Sequence, residues 1–459
     1  MGNTFIGIET GKALENFPIS GDGIDKELIC AFGMVKLACC RTNHKLGYLP
    51  DHIAASIAYG CELMIDGNHH DMIVVDPYQG GAGTSYNMNF NETIAYLANT
   101  HINPDFDPDH DTWIVEPLNH VNMHQSTNDV FPTATRIAIL SRLKQLESSI
   151  SGLQDAFQKK EQEFSDVVKI GRTELQDAVP MTLGMEFGAY AEAISRDRWR
   201  IFKSRERIKT LNLGGTAIGT GLGAPREYIF KVIDELKRIC GFSISRAENM
   251  IDYTQNLDSI AEVSAITKTL AVNLLKIAND LKLLSSGPDS GFQEIRLPDL
   301  QKGSTIMPGK VNPVIPEAVC QVAMKVINDD NLISLAAASG QLELNAYMPL
   351  IAHTLLKSLQ LLTNTCTMFA EKCVTGIHAN QAQCQMYFDQ SKSIATYLVP
   401  ILGYSRVESL VLEAIKSKQS IKDIVLGQKL LTSEQYEELM SPRSMYKLGF
   451  SESDYKLGD

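Results

Sequence analysis

The sequence lacks any CxxC pair, any block of Lys and Arg, and any basic or apolar opening. It also lacks an apolar run of about 18 residues, the length a membrane-spanning helix needs. Each lack closes a class of function. Nine cysteines are scattered at Cys30, Cys39, Cys40, Cys61, Cys240, Cys320, Cys366, Cys373 and Cys384. An odd, unpaired set fits a reducing compartment rather than a disulfide framework. A free cysteine is ordinarily a small buried hydrophobe, so a thiol nucleophile is set aside. With 42 basic against 54 acidic residues and a net charge of −12, a phosphate backbone is not the expected partner. A small anionic substrate stays open, because charge inside a pocket is independent of the global sum. The start, MGNTFIGIETGKALENF, does not read as a secretory signal. The expected location is cytoplasmic, with neither nucleic acid nor membrane as partner.

What is present is a large apolar fraction. The chain has 459 residues, 44% of them hydrophobic, enough for two or three domains with a sizeable core. Three regions read differently: a mixed and helical stretch over 1–105, a long-helix region over 106–375, and a small helical appendage over 376–459. Between the first two lies INPDFDPDHD, whose Asp105, Asp107, Asp109 and Asp111 resemble a calcium loop in spacing alone. Pro108 and the missing Gly and Glu argue for a solvated acidic loop. His69, His70 and His110 show no metal-ligand spacing.

Two stripes carry the fold reading. Ile139, Leu143, Leu146, Ile150, Leu153 and Phe157 recur in steps of four and three, and so do Ile260, Val263, Thr267, Leu270, Leu274, Ile277 and Leu281. That is the period of one helix face, and a long helix with one apolar stripe must bury it against other helices. An all-α fold around a long-helix bundle follows. Further helices are expected near 183–210, 314–339 and 347–375, the last with Pro349 early, where a missing N–H costs least. Near the end, Ser405 with Glu408 three residues on reads as a helix cap. The glycine-rich LGGTAIGTGLGAP (213–225) follows no evident strand and lacks GK[ST], so it is read as tight turns between helices.

Four polar segments lie beside the long helices: GGAGTSYNMN (80–89), HVNMHQSTND (120–129), GRTELQDAVPMTLG (171–184) and SGPDSGFQEIRLPDLQKGSTIMPGKVNPVIPE (286–317). Singly, such Ser, Thr and Asn-rich segments cap helices and make turns. Together they supply many neutral donors for a carboxylate, supplemented by the cation Lys310.

With GSTIMPGKVNP, QSTND, GAGTSYNMN and LQDAVPMTLG, the chain resembles the aspartase/fumarase superfamily from about residue 7 to 441. ALENFPIS, VNMHQSTNDVFPTA, TAIGTGL, KIANDL and GQLELN make it most like the aspartate ammonia-lyases within it. The resemblance implies a three-domain, mainly α fold, a homotetramer with each active site shared by three chains, and an anti elimination without metal or organic cofactor. It implies Ser304 as the base that takes a proton from carbon. A serine hydroxyl does so only if its oxyanion is stabilised by backbone N–H groups and shielded from water. The plainer reading of Ser304 is a helix cap. Gly, Pro and Asp residues over 286–303 suit a mobile lid. Lys310, Asn312 and Thr173 match groups on the carboxylate of the leaving-group carbon. Thr84, Ser126, Thr127 and Thr305 match groups on the second carboxylate, which carries the enediolate charge. Asn128 matches an amine-side contact.

Several positions depart from that pattern: Glu174 for His or Gln, Tyr86 beside the GTS triplet, His124 before QST, Asp289 for Arg, Met348 for a residue that is commonly charged, and Thr305 for Ser. An ammonium group has three N–H donors and satisfies itself on neutral acceptors, whereas a quaternary ammonium has none. The latter is held by a carboxylate and an aromatic face, which Glu174 and Tyr86 offer, while His124 meets a heteroaromatic ring. These changes favour a bulkier or quaternary ammonium substrate such as ergothioneine, releasing trimethylamine and thiolurocanate, as in an ergothionase. The alternatives are an L-aspartate ammonia-lyase giving fumarate and ammonia, a fumarase-type hydratase, and a non-catalytic scaffold. Glu174 is also open to acting as an acid for the leaving amine or to pairing with Arg172.

Overall fold

The computed structural model describes residues 5–450. The chain runs through α1 (Ile8–Asn16), α2 (Lys26–Lys45), α3 (Asp51–Ile65), α4 (Thr84–Ile102) and the 37-residue α5 (Thr127–Glu163). A hairpin of β1 (Val168–Thr173) and β2 (Gln176–Thr182) leads into α6 (Leu183–Ser204). Then come β3 (Thr210–Leu211), α7 (Arg226–Cys240), β4 (Ser245–Arg246), α8 (Met250–Gln255), α9 (Asp258–Leu284), β5 (Ile295–Arg296), α10 (Val314–Ala338), α11 (Met348–Lys372) and β6 (His378–Ala379). Short helices close it: α12 (Gln381–Gln390), α13 (Val399–Leu402), α14 (Tyr404–Ser417), α15 (Ile421–Gly427), α16 (Ser433–Leu439) and α17 (Pro442–Met445). Among the described residues strands form only two-stranded pairs: β1–β2 and β5–β6 antiparallel, β3–β4 parallel. The all-α expectation holds.

Both stripes are buried along their whole length, Ile139 to Phe157 on α5 and Ile260 to Leu281 on α9. Each leucine or isoleucine so buried contributes about 1.5–3 kcal/mol. The expected helices are α6 with a 3-10 turn at Arg205–Ile208, then α10 and α11. Pro349 is the second residue of α11. Ser405 is a correction. α14 already starts at Tyr404, its cap position is Gly403, and no side chain caps it. Ser405 therefore lies inside the first turn, and its carbonyl accepts from Ser409 Oγ at 3.0 Å.

The chain falls into two compact units. One comprises Met1–Ser148, Arg198–Val272 and Val322–Thr363, the other Ser149–Asp197, Asn273–Gln321 and Asn364–Asp459. The residues of α5, α6, α9, α10 and α11 are divided between them. In the first unit polar bonds join these helices: Arg136 to Ser259 at 2.9 Å, Ser264 to Asp330 at 2.8 Å and Ser358 to Asp329 at 2.5 Å. There α2 packs on α3 and α7, and α3 on α4. In the second unit Phe157 meets Tyr190 and Phe369 with ring centroids 5.8 and 6.0 Å apart, and Asn273 donates to Asp197 at 2.6 Å. A separate apolar cluster gathers Leu398, Leu410, Ile421 and Val425 around Ile170 of β1, which anchors the foot of the hairpin.

Among the described residues no helix is long and apolar enough to cross a membrane.

Candidate active site

In the first unit the starts of α4 and α5 lie against each other. Gly83, at φ +94°, precedes α4, and a Cβ there would meet the Phe131 ring at 2.8 Å. Only glycine allows that approach. Thr84 opens α4, is exposed, and donates from Oγ1 to Gly81 O at 2.8 Å. Ser126 stands just before α5, and its hydroxyl accepts from the Asn128 N–H at 3.2 Å. Thr127, the first residue of α5, accepts from Asn87 Nδ2 at 3.2 Å. Asn128 donates to Ala217 O at 2.8 Å. Helix starts present free N–H groups and favour a carboxylate.

Two buried charges beneath these segments were missed from sequence. Lys36 is 1% exposed, and its ammonium donates to Asn87 Oδ1 at 2.7 Å, Asn122 Oδ1 at 3.1 Å and Gln125 Oε1 at 2.9 Å. Burial pulls it down to about 8, against the pull of nearby Cys39 and Asp129. Asp129 is fully buried and accepts the N–H groups of Ser126 and Gly214 at 3.0 Å and of Thr216 at 3.1 Å. Burial pushes its carboxyl up to about 6, with those three donors working the other way. Asp129 thus fastens the glycine loop to the start of α5. That loop turns through positive φ at Gly214, Gly219, Gly221 and Gly223, as tight turns require. It does follow a strand, the two-residue β3, which was not evident in sequence. A lone Lys in the apolar run GMVKLACC was the readable signal for Lys36.

One expectation needs correction. Tyr86 offers no open aromatic face: it is 2% exposed, and its ring packs at 5.2 Å on Phe131, because position 86 is on the inner side of α4. His124, at φ +61°, is engaged by its own chain: Nδ1 lies 2.7 Å from Asn43 Oδ1, and Tyr48 and Tyr228 meet it edge-on. Burial holds its imidazole below the usual histidine range.

In the second unit the β1–β2 hairpin presents Thr173 and Glu174. Thr173 pairs with Gln176, so Glu174 and Leu175 are the two turn residues, at φ +53° and +62°. Two positive φ values define a type I′ turn, which glycine and asparagine usually serve. Glutamate and leucine there carry backbone strain. Thr173 and Glu174 are exposed. Glu174 does not pair with Arg172. The guanidinium instead meets Glu294 at 2.9 Å and stacks 4.3 Å from the Phe292 ring centre. Lys169 joins the same carboxylate at 2.9 Å and Glu186 at 2.6 Å. Burial works against the charge on Lys169 and on Arg172, and the carboxylates more than offset it, so both bases are strengthened.

The last segment closes on itself. The Gly303 N–H donates to Lys310 O at 3.1 Å, and Asn312 Nδ2 donates to Gly303 O at 2.7 Å. A Cβ at Gly303 would fall 2.2 Å from Lys310 O, so the closure needs glycine. Ser304 Oγ accepts the N–H of Ile306 at 3.1 Å and of Met307 at 2.9 Å. No helix follows, so Ser304 does not cap one. Thr305 and Lys310 are exposed. Lys310 lines two cavities, one of about 410 Å³ that includes Ser304 and Thr305, one of about 480 Å³ that includes Asn312, Lys282 and Arg296. The segment 286–303, expected as a lid, carries bonds of its own. Ser286 O and Oγ bind the N–H groups of Gln293 and Phe292, and β5 pairs with β6. Asp289 is exposed, whereas Met348 is buried, which suits its apolar side chain. The structure therefore gathers Thr84, Ser126, Thr127 and Asn128 in one unit, and holds Ser304, Thr305, Lys310 and Asn312 in a loop of the other.

Two family models match the chain: that described as Lyase over residues 3–328, and that described as Fumarase C C-terminus over residues 394–447. The chain belongs to the aspartase/fumarase superfamily. Among its relatives are aspartate ammonia-lyases of Helicobacter pylori, 44% identical over 96% of this chain and 94% of that protein, and of Escherichia coli, 40% identical over 99% and 95%. A crystal structure described as fumarate lyase:delta crystallin from Brucella melitensis bound to cobalt superposes with a TM-score of 0.92 at 44% identity, covering 97% of this chain and 96% of that one. A class II fumarase from Schistosoma mansoni gives 0.89 at 32% identity, again over 97% and 96%. This superfamily member is a carbon–nitrogen lyase. Its nine thiols form no disulfide, and burial pushes Cys39, Cys40, Cys366, Cys373 and Cys384 up to about 12, far from a nucleophile's range. Among the described residues no group of three or more His, Cys, Asp or Glu side chains is placed to hold a metal ion.

Proposed function

We propose that the chain catalyses an anti β-elimination that breaks a carbon–nitrogen bond of an amino acid, with L-aspartate giving fumarate and ammonia as the first reading. The observation that carries it is Ser304, whose oxygen receives two backbone N–H groups in the loop that also bears Lys310 and Asn312. Donors aimed at that oxygen stabilise an alkoxide and make it a base. In this reading Ser304 takes the proton from the carbon beside the second carboxylate. Thr84, Ser126, Thr127 and Thr305 hold that carboxylate while it carries the charge as an enediolate. Lys310, Asn312 and Thr173 hold the other carboxylate. The electron pair then forms the double bond and the amine leaves beside Asn128. No cofactor enters. As the resemblance to the superfamily implies, the reading takes the chain as a homotetramer with three chains contributing to each site. A three-domain division at 1–105, 106–375 and 376–459 and a cytoplasmic location belong to the same proposal.

A second reading rests on Glu174. It is exposed and makes no ion pair among the described residues. A free carboxylate suits a quaternary ammonium, as in ergothioneine, with the imidazole-thione in place of the second carboxylate near His124. The burial of Tyr86 takes away the aromatic face this reading also used. One panel separates the readings: incubation with L-aspartate, ergothioneine or fumarate, followed by ultraviolet absorbance and assays for ammonia and trimethylamine. Fumarate and ammonia from aspartate support the first. Trimethylamine and thiolurocanate support the second. Hydration of fumarate alone means a hydratase, and silence on all three sinks the lyase chemistry at this site.

A further inference from the structure

Arg172 lies on β1, two residues before Glu174, the first residue of the turn that follows the strand. It does not pair there. Glu294, 0% exposed, holds Arg172 at 2.9 Å. The guanidinium lies 4.3 Å from the Phe292 ring centre and 5.6 Å from that of Tyr387, and the Tyr387 hydroxyl donates to Gly291 O at 3.2 Å. Lys169 and Glu186 complete a cluster of two cations and two anions that is neutral within itself. The charge of Arg172 is therefore already compensated, and Glu174 makes no ion pair among the described residues.

We propose that Glu294 is a positioning residue for the amine side of the reaction: by taking Arg172, it keeps Glu174 free to bind the cationic amine of the substrate. This rests on the carbon–nitrogen lyase reading and deepens it by naming the amine's partner. Two features give it weight beyond packing. The tip holds Glu174 and Leu175 at positive φ, a conformation that costs free energy and that glycine would relieve. The strain persists in a turn whose foot is tied down by the Arg172–Glu294 pair and by Ile170 in its apolar cluster. Removal of the Glu294 charge leaves Arg172 with Asp177 and Glu186, which already act on it, and with Glu174 two residues on at the tip. Asp177 is directly across the ladder from Arg172 and already strengthens its base.

The test is Glu294→Gln in the full-length enzyme. A crystal structure is expected to show the Arg172 guanidinium moved onto Glu174. Arg172 still stacked on Phe292, or moved onto Asp177 or Glu186 instead, overturns the proposal. In steady-state kinetics on whichever substrate the wild type turns over, KM is expected to rise about fivefold, the effect of one exposed ion pair, with kcat within a factor of two. The double variant Arg172→Met with Glu294→Gln is expected to bring KM back. A fall in kcat with KM unmoved, or no recovery in the double variant, overturns the idea. If Glu294→Gln does not fold, Glu174→Gln, at an exposed tip, decides: KM rises about fivefold if Glu174 binds the amine, and an unchanged KM overturns the proposal. A wild type silent on aspartate and ergothioneine removes the functional reading, and the crystal arm still decides the fate of Arg172.

Discussion

At the starts of α4 and α5 the polar groups rest on a buried foundation. Lys36 spans three amide oxygens and Asp129 gathers three N–H groups, with both charges themselves buried. At 303–312 the chain has no such foundation. It is held by bonds among its own members, and nearly all its side chains face solvent. The difference follows from what each region does in the proposed reaction. A group that holds developing charge must be fixed in advance. A group that takes a proton from a shielded substrate must move to let that substrate in.

The comparison breaks or sharpens under substitution. The largest expected effect is Ser304→Ala: kcat falls by about a thousandfold or more, with the melting temperature unchanged, since the loop carries little stability. Survival of turnover, read by product absorbance, ends the base assignment. Next is Gly303→Ala. With a Cβ 2.2 Å from Lys310 O, the loop cannot close, and kcat/KM falls by about a hundredfold, the size of a misplaced catalytic group. A change confined to melting temperature contradicts that.

In the buried region the order of effects reverses. Asp129→Asn costs about 2 kcal/mol of stability by denaturant titration, because some of three buried N–H groups lose their acceptor. It also carries a pH signature. The folded-state carboxyl is raised from 3.8 to about 6, so the folded protein keeps that proton longer than the unfolded chain. The stability Asp129 contributes is full below the lower value and is lost as pH rises to the upper one. The stability of wild type relative to Asp129→Asn should therefore decline between those two pH values and level off above them. A flat difference removes the raised carboxyl. The smallest effect is Ile306→Ala, 84% exposed at the loop tip: stability moves by less than about 0.5 kcal/mol.

The stripes on α5 and α9 were legible because helix period and burial are the same fact read twice. The loop residues were legible because their spacing is local, nine residues from Gly303 to Asn312. Lys36 was not, since its partners Asn87, Asn122 and Gln125 are 51 to 89 positions away. Tyr86 was misread because a polar segment's period was not resolved into inner and outer faces. Pairing of Arg172 with Glu174 was one of the readings left open, and only the fold brings Glu294 to that guanidinium.

Asn312 gives the loop an economy of hydrogens. An amide NH2 has two, and one points to the Gly303 carbonyl. The direction of the other is thereby set. An anion that takes this second hydrogen must favour the folded-back turn. By reciprocity, whatever pins the turn must tighten the grip on the anion: arrival of the ligand and shutting of the loop are two views of one equilibrium.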